Sequence, residues 1–78
     1  MAKYNGHKNW NHWNVSLWIK NDEGLYQMAL YFISEHKQHG KDYVAERMLE
    51  CLHDEGITET PDGAKYSKTS IHAAMVGM

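Results

Sequence analysis

Hydrophobic positions along the chain fall into periodic blocks separated by turn residues. The plainest block is Leu25, Met28, Ala29, Phe32, Ile33 and His36, spaced i, i+3, i+4, i+7, i+8 and i+11 as on one face of an amphipathic helix. Asn21 stands ahead of it as the expected N-cap, with Asp22 and Glu23 in the first turn, where the helix dipole favours negative charge. His36, Lys37 and His39 before Gly40 supply a cationic last turn and a glycine stop. The next helix is expected from about Lys41 or Asp42 to Glu55, burying Val44, Met48, Cys51 and Leu52 and presenting Glu46, Glu50 and Asp54 to water. Gly56 closes it, with Ile57 placed to pack back on the last turn in a Schellman ending. Thr60-Pro61-Asp62-Gly63 is a turn, flanked by Ile57–Glu59 and Ala64–Tyr66, so a short hairpin is expected near 57–66. Ser67 opens the last helix. Tyr66 and Ile71 are spaced for a hydrophobic staple, and Ile71, Ala74, Met75 and Met78 form its apolar face.

Residues 10–20 carry two periods at once. Trp10, Trp13 and Leu17 mark one helical face, extended by Trp18, while Val15, Leu17 and Ile19 alternate as in a strand. A helix capped by Asn9 is the preferred reading, because no partner strand follows. Such a helix is apolar on two sides: Trp10, Trp13 and Leu17 point inward, and Val15 and Ile19 need a second cover. That cover is either the last helix or something outside the chain. The expected fold is all-α, a small four-helix domain over residues 1–78, with 1–8 an irregular lead-in past the Asn5-Gly6 turn.

Seventy-eight residues make one domain, and 42% apolar content with three tryptophans allows a dense core. Cys51 is the single cysteine, which excludes an intrachain disulfide and a thiolate zinc site and fits a reducing cytoplasm. No apolar run approaches the roughly 18 residues of a membrane span, and no signal-peptide pattern opens the chain, so a cytoplasmic protein without membrane contact is expected. The net charge is −2 and Arg47 is the only arginine, a balance that suits a protein-binding or self-associating module better than a general nucleic-acid binder.

The candidate chemistry is sparse. His36 and His39 are three apart, and His7 and His12 are close in sequence, but no HExxH-like pattern accompanies them, so no metal or cofactor is expected. His36 is expected at the core edge and His39 at a helix C-terminus. Cys51 lies on an apolar face, where a buried inert thiol is the default, and there is no nucleophile elbow or phosphate-cradling loop. No catalytic residue is therefore expected. The segment from Gly56 through Pro61-Asp62-Gly63 to Tyr66-Ser67-Lys68-Thr69-Ser70-Ile71-His72 is similar to the short stretch that closes the DNA-binding regions of many phage-type recombinases and regulators. That similarity implies a helix-turn-helix-like role, with Lys65, Lys68, Thr69 and His72 as groove-facing residues.

Trp10, Trp13 and Trp18 fall within nine residues and are separated by Asn11, His12 and Asn14. Each indole can bury roughly 150–250 Å². Tryptophan in a polar surround is a common interface anchor, so Trp10, Asn11, His12, Asn14 and Trp18 are the candidate partner-binding residues. From Asn5 to Tyr26 the chain resembles a family of small uncharacterised proteins of phages, prophages and plasmids, whose pattern reads roughly N-G-x-x-N-x-x-W-x-V-x-L-W-x-x-N-D-E-G, with one more residue here between Asn9 and Trp13. The resemblance implies a mobile-element origin and brings no established site residues. Proteins of that kind and size often inhibit host defence, as anti-CRISPR proteins do, or regulate host machinery. A non-catalytic accessory protein that binds a host protein or defence complex is thus the expected function, with a DNA-binding regulator as the alternative. A homodimer through the first helix is compatible with both.

Overall fold

The computed structural model describes residues 9–76 and 78. The lead-in expected at 1–8, with its Asn5-Gly6 turn and His7, lies outside the described residues. The fold is all-α, with α1 (Trp10–Asn21), α2 (Glu23–Glu35), α3 (Gly40–Asp54) and α4 (Lys68–Met75), and a short 3-10 turn at Lys37–His39. Among the described residues no strand forms. The hairpin expected near 57–66 is reduced to one antiparallel bridge between Glu59 and Lys65.

Local chemistry sets each boundary. Asn9 is extended and its side chain accepts from the His12 N–H at 2.9 Å, which starts α1. Asp22 both ends α1 and begins α2. Its backbone N–H donates to Trp18 O at 2.9 Å and its carboxylate accepts from the Leu25 N–H at 3.0 Å. The N-cap expected at Asn21 therefore falls one residue later. Asn21 is still helical, and its amide turns back to Leu17 O at 2.8 Å. A charged carboxylate also complements the dipole of α2 better than a neutral amide. Gly40, expected as a stop, is instead the first residue of α3 at φ 81°, a backbone that L side chains avoid.

α3 ends as expected. Ile57 N donates to Leu52 O at 2.8 Å and Gly56 N to His53 O at 2.9 Å, the two bonds of a Schellman motif, with Gly56 at φ 78°. Ser67 caps α4 through a reciprocal box with Ser70, whose hydroxyl accepts from the Ser67 N–H at 2.9 Å.

The core forms where α4 packs against both α1 and α3, while α2 packs more lightly on α1 and α3. Val15 and Ile19 of α1 are fully buried with Met48 and Leu52 of α3 and Ile71, Ala74 and Met75 of α4. Small residues at the crossings, Ser16, Ala45, Ser70 and Ala74, are buried too and leave room for close backbones. This reverses the expected orientation of α1. Val15 and Ile19 are the inner pair, and the second cover they need is α4. Trp10 and Leu17, expected inward, are 40% and 38% exposed, and Trp13 is half-buried. Branched aliphatic side chains fit a tight helix crossing, and bulky indoles do not. Cys51 is also displaced from its expected place in the buried face. It is half-buried, with Sγ 3.7 Å from a Glu55 carboxylate oxygen.

Ile19→Ala should destabilise the fold by about 2–5 kcal/mol, as deletion of buried aliphatic groups does. Leu17→Ala, on the open side of the same helix, should stay within about 1 kcal/mol. Urea denaturation of the two variants checks the orientation of α1.

Candidate partner-binding site

α1 carries a polar stripe at i, i+3, i+7, Asn11, Asn14 and Trp18, and all three side chains grip the segment between α3 and α4. Asn14 is 2% exposed. Its Nδ2 donates to Asp62 Oδ2 at 2.9 Å, and its Oδ1 accepts from Thr60 Oγ1 at 2.6 Å. Trp18 Nε1 donates to the same Asp62 oxygen at 2.9 Å. Asn11 pairs with the Lys65 backbone as a neighbouring strand would, donating to its carbonyl at 2.8 Å and accepting from its N–H at 3.1 Å. Thr60 closes the turn from within: its Oγ1 accepts from Ala64 N at 3.0 Å and its carbonyl from Gly63 N at 2.8 Å. The two donors on Asp62, Asn14 first and then Trp18, hold its carboxyl below the ordinary value of 3.8.

Fixing this loop creates a cleft. An open hollow of about 490 Å³ lies between the α1–α2 corner and residues 57–66. Its walls are Trp18, Leu25, Met28, Ile57, Pro61 and Tyr66, and Asp22 and Glu59 add carboxylates. Among the described residues no cationic side chain lines it. A volume of this order accommodates a small ligand or a few side chains of a partner. Gly24 also borders it; a Cβ there would stand 3.3 Å from Asp22 Oδ1, so glycine keeps the capping carboxylate uncrowded. Tyr66 is 5% exposed, and burial, followed by the charge of Asp22, pushes its phenol above 10.0. It therefore stays protonated at neutral pH, available as a hydrogen-bond donor.

A second surface feature runs along α2. Of its thirteen residues only Ala29 is fully buried, and Tyr26 and Tyr31 are 37% and 59% exposed. At its C-terminal end Phe32 stacks on His36, and the His36 and His39 rings both lean on Tyr43, at 5.3 and 4.6 Å between centroids. Arg47 lies 5.5 Å from the Tyr43 ring centroid and pairs with Glu50. His36 thus occupies the core edge, as expected. His39, expected at a helix C-terminus, instead stands in the 3-10 turn just ahead of α3, makes no side-chain capping bond and leans its ring on Tyr43, because α2 already ends at Glu35.

Of the expected partner-binding residues, Asn11, Asn14 and Trp18 are brought together, but on the chain's own loop. Asn14 in particular is corrected from an exposed contact to a buried structural amide, because Thr60 and Asp62 satisfy both ends of it. Trp10 is exposed on α1, and His12 is half-buried. Two of the four expected DNA-contact residues face acids. Lys65 Nζ is 3.3 Å from Glu59, His72 Nδ1 is 3.4 Å from Asp42 of α3, and Lys68 and Thr69 are exposed at the start of α4. Residues 55–67 separate α3 from α4, far more than the 3–4-residue turn of a helix-turn-helix.

Periodicity does not disclose the cleft, since its walls come from three separate segments. The available signal was the polar stripe of α1: three hydrogen-bonding side chains on one helical line require a common partner. Cys51 has the Glu55 carboxylate beside it, and burial, then the Glu55 and Asp54 charges, push its thiol above 9.0. Among the described residues no three His, Cys, Asp or Glu side chains are grouped to hold a metal ion, and no helix is long and apolar enough to cross a membrane.

One family model, described as a family of unknown function (DUF7249), matches residues 1–78. No curated protein and no solved structure matches the chain.

The clamp has a pH signature. Asp62 is harder to protonate folded than unfolded, so the folded state binds fewer protons. Its contribution is present above the ordinary value of 3.8 and is lost as pH falls through the lower folded value. Urea midpoints measured between pH 6 and pH 2.5 should fall less steeply for Asp62→Asn than for the native chain. Asn14→Ala, which leaves the buried Thr60 O–H without its acceptor, should cost about 2–3 kcal/mol at neutral pH.

Proposed function

The chain belongs to the DUF7249 family, and from that premise we propose that it is a non-catalytic accessory protein that acts by docking on another protein. The observation that carries this reading is α2. Leu25, Met28, Phe32 and Ile33 pack against the core, while Tyr26 and Tyr31 of the same helix stand exposed. Exposed tyrosines have the composition of an interface centre, where aromatic side chains dominate. The cleft beside Leu25 and Met28 extends the same surface toward the 57–66 loop.

The resemblance of residues 5–26 to phage, prophage and plasmid proteins supports a host protein as the partner. A component of a cytoplasmic defence complex, inhibited in the manner of anti-CRISPR proteins, is the partner class it favours. DNA binding through α4 has less support, since Lys65 and His72 each face an acid and the connection from α3 is long. A second copy on α2 would give a homodimer, read from the mass in solution.

The immobilised full chain, exposed to host lysate, should retain a defined protein, and Tyr26→Ser with Tyr31→Ser should weaken that retention at least about 30-fold, the scale of interface hot spots. Both side chains are exposed, so stability should change by no more than about 1 kcal/mol. A monomer that retains no protein and instead binds one DNA duplex, with affinity falling steeply in salt, overturns the reading.

A further inference from the structure

We propose that the cleft between the α1–α2 corner and the 57–66 loop takes a basic side chain of the partner protein, arginine ahead of lysine, with its alkyl stem between the apolar walls and its cationic head at the carboxylates of Asp22 and Glu59. This rests on the docking reading above and names what the partner must present. Three observations converge on it.

The first is charge. Two carboxylates, Asp22 and Glu59, line the hollow, and among the described residues no cation does. Electrostatic complementarity selects a partner of opposite sign, and here it selects a cation. The second is the wall chemistry. Leu25, Met28, Ile57 and Pro61 are apolar, and Trp18 and Tyr66 add aromatic groups. Basic side chains carry an apolar stem under a charged head and so match walls of one kind and a rim of the other. The weakly hydrated, planar guanidinium suits aromatic surroundings better than a compact ammonium. An acidic side chain would meet like charge, and a purely aliphatic one would gain nothing from either carboxylate.

The third is an internal precedent. Lys65 already reaches Glu59, at 3.3 Å, while its side chain remains 72% exposed. The rim pairs with a cation, and the side chain that supplies it stands largely in water. Lys65 is then a competitor for the incoming head group. Its role is opposite in sign to the one it would have in DNA binding, where its removal weakens association.

The test titrates the 15N-labelled full chain with three acetylated and amidated pentapeptides, Ala-Leu-X-Leu-Ala, in which X is Arg, Gln or Glu. The Arg peptide should shift the Trp18 indole and the Gly24 and Leu25 amides, binding about threefold to tenfold tighter than the Gln peptide, as two exposed ion pairs allow. The Glu peptide should bind weakest. Asp22→Asn, which keeps a good helix cap, and Glu59→Gln should each weaken the Arg peptide about twofold to fivefold, and Lys65→Met should strengthen it. Equal binding of the Arg and Gln peptides, or weaker binding by Lys65→Met, overturns the basic-side-chain proposal and leaves docking standing. If no peptide shifts the cleft while the Tyr26 and Tyr31 changes still abolish partner retention, the cleft proposal is likewise overturned and the α2 surface is not.

Discussion

Asn14 is closed off from water, and both ends of its amide are committed to the turn between α3 and α4. An amide buried without partners is costly, so this side chain and the turn specify each other. Trp18 reinforces the arrangement through the same Asp62 oxygen, and Asn11 extends it to the Lys65 backbone. The 57–66 segment has one isolated bridge in place of a sheet, so α1 supplies the order that strand pairing would otherwise give. α4 follows directly, and its placement against α1 and α3 completes the core. A polar stripe on the first helix thus positions the last one.

The same economy appears at Asp22. One residue terminates α1, caps α2 and contributes a carboxylate to the cleft. The sharp break keeps the start of α2 beside the 57–66 loop, and the cleft exists because those two segments are both pinned to α1. Ordering the loop and forming the binding surface are consequently one event. Trp18 belongs to both, anchoring the loop through Asp62 and lining the cleft with Leu25, Met28, Ile57 and Pro61.

α2 is the exception to this tight packing. Only Ala29 of its residues is fully buried; Leu25, Met28, Phe32 and Ile33 pack partly on the core, and Tyr26 and Tyr31 stay exposed. α1, α3 and α4 enclose Val15, Ile19, Met48, Leu52, Ile71 and Met75, and α2 adds Ala29 to that core from one side. Two exposed tyrosines beside an acid-rimmed cleft are a coherent basis for association with another protein.

Much of the fold was legible from residue order. The Schellman ending at Gly56 and Ile57, the Ser67 cap, the turn at 60–63 and the helix carrying Leu25 to Ile33 depend on contacts only a few residues apart, which local propensity and periodicity encode. The Asn21 cap was misplaced by one residue, because two adjacent polar residues both suit the role and only the backbone break selects Asp22. The candidate site was less legible. Asn11, Asn14 and Trp18 stood out as residues seeking partners, yet those partners lie more than forty positions away, at Thr60, Asp62 and Lys65. The sequence by itself determined the helices, the caps at Asn9 and Ser67, the all-α class and the absence of an intrachain disulfide. Tertiary structure alone decided that Val15 and Ile19 face inward while Trp10 and Leu17 look out. A helix with apolar residues on two sides has no intrinsic inside, and here the tighter fit of branched side chains against the small residues of α4 chose one.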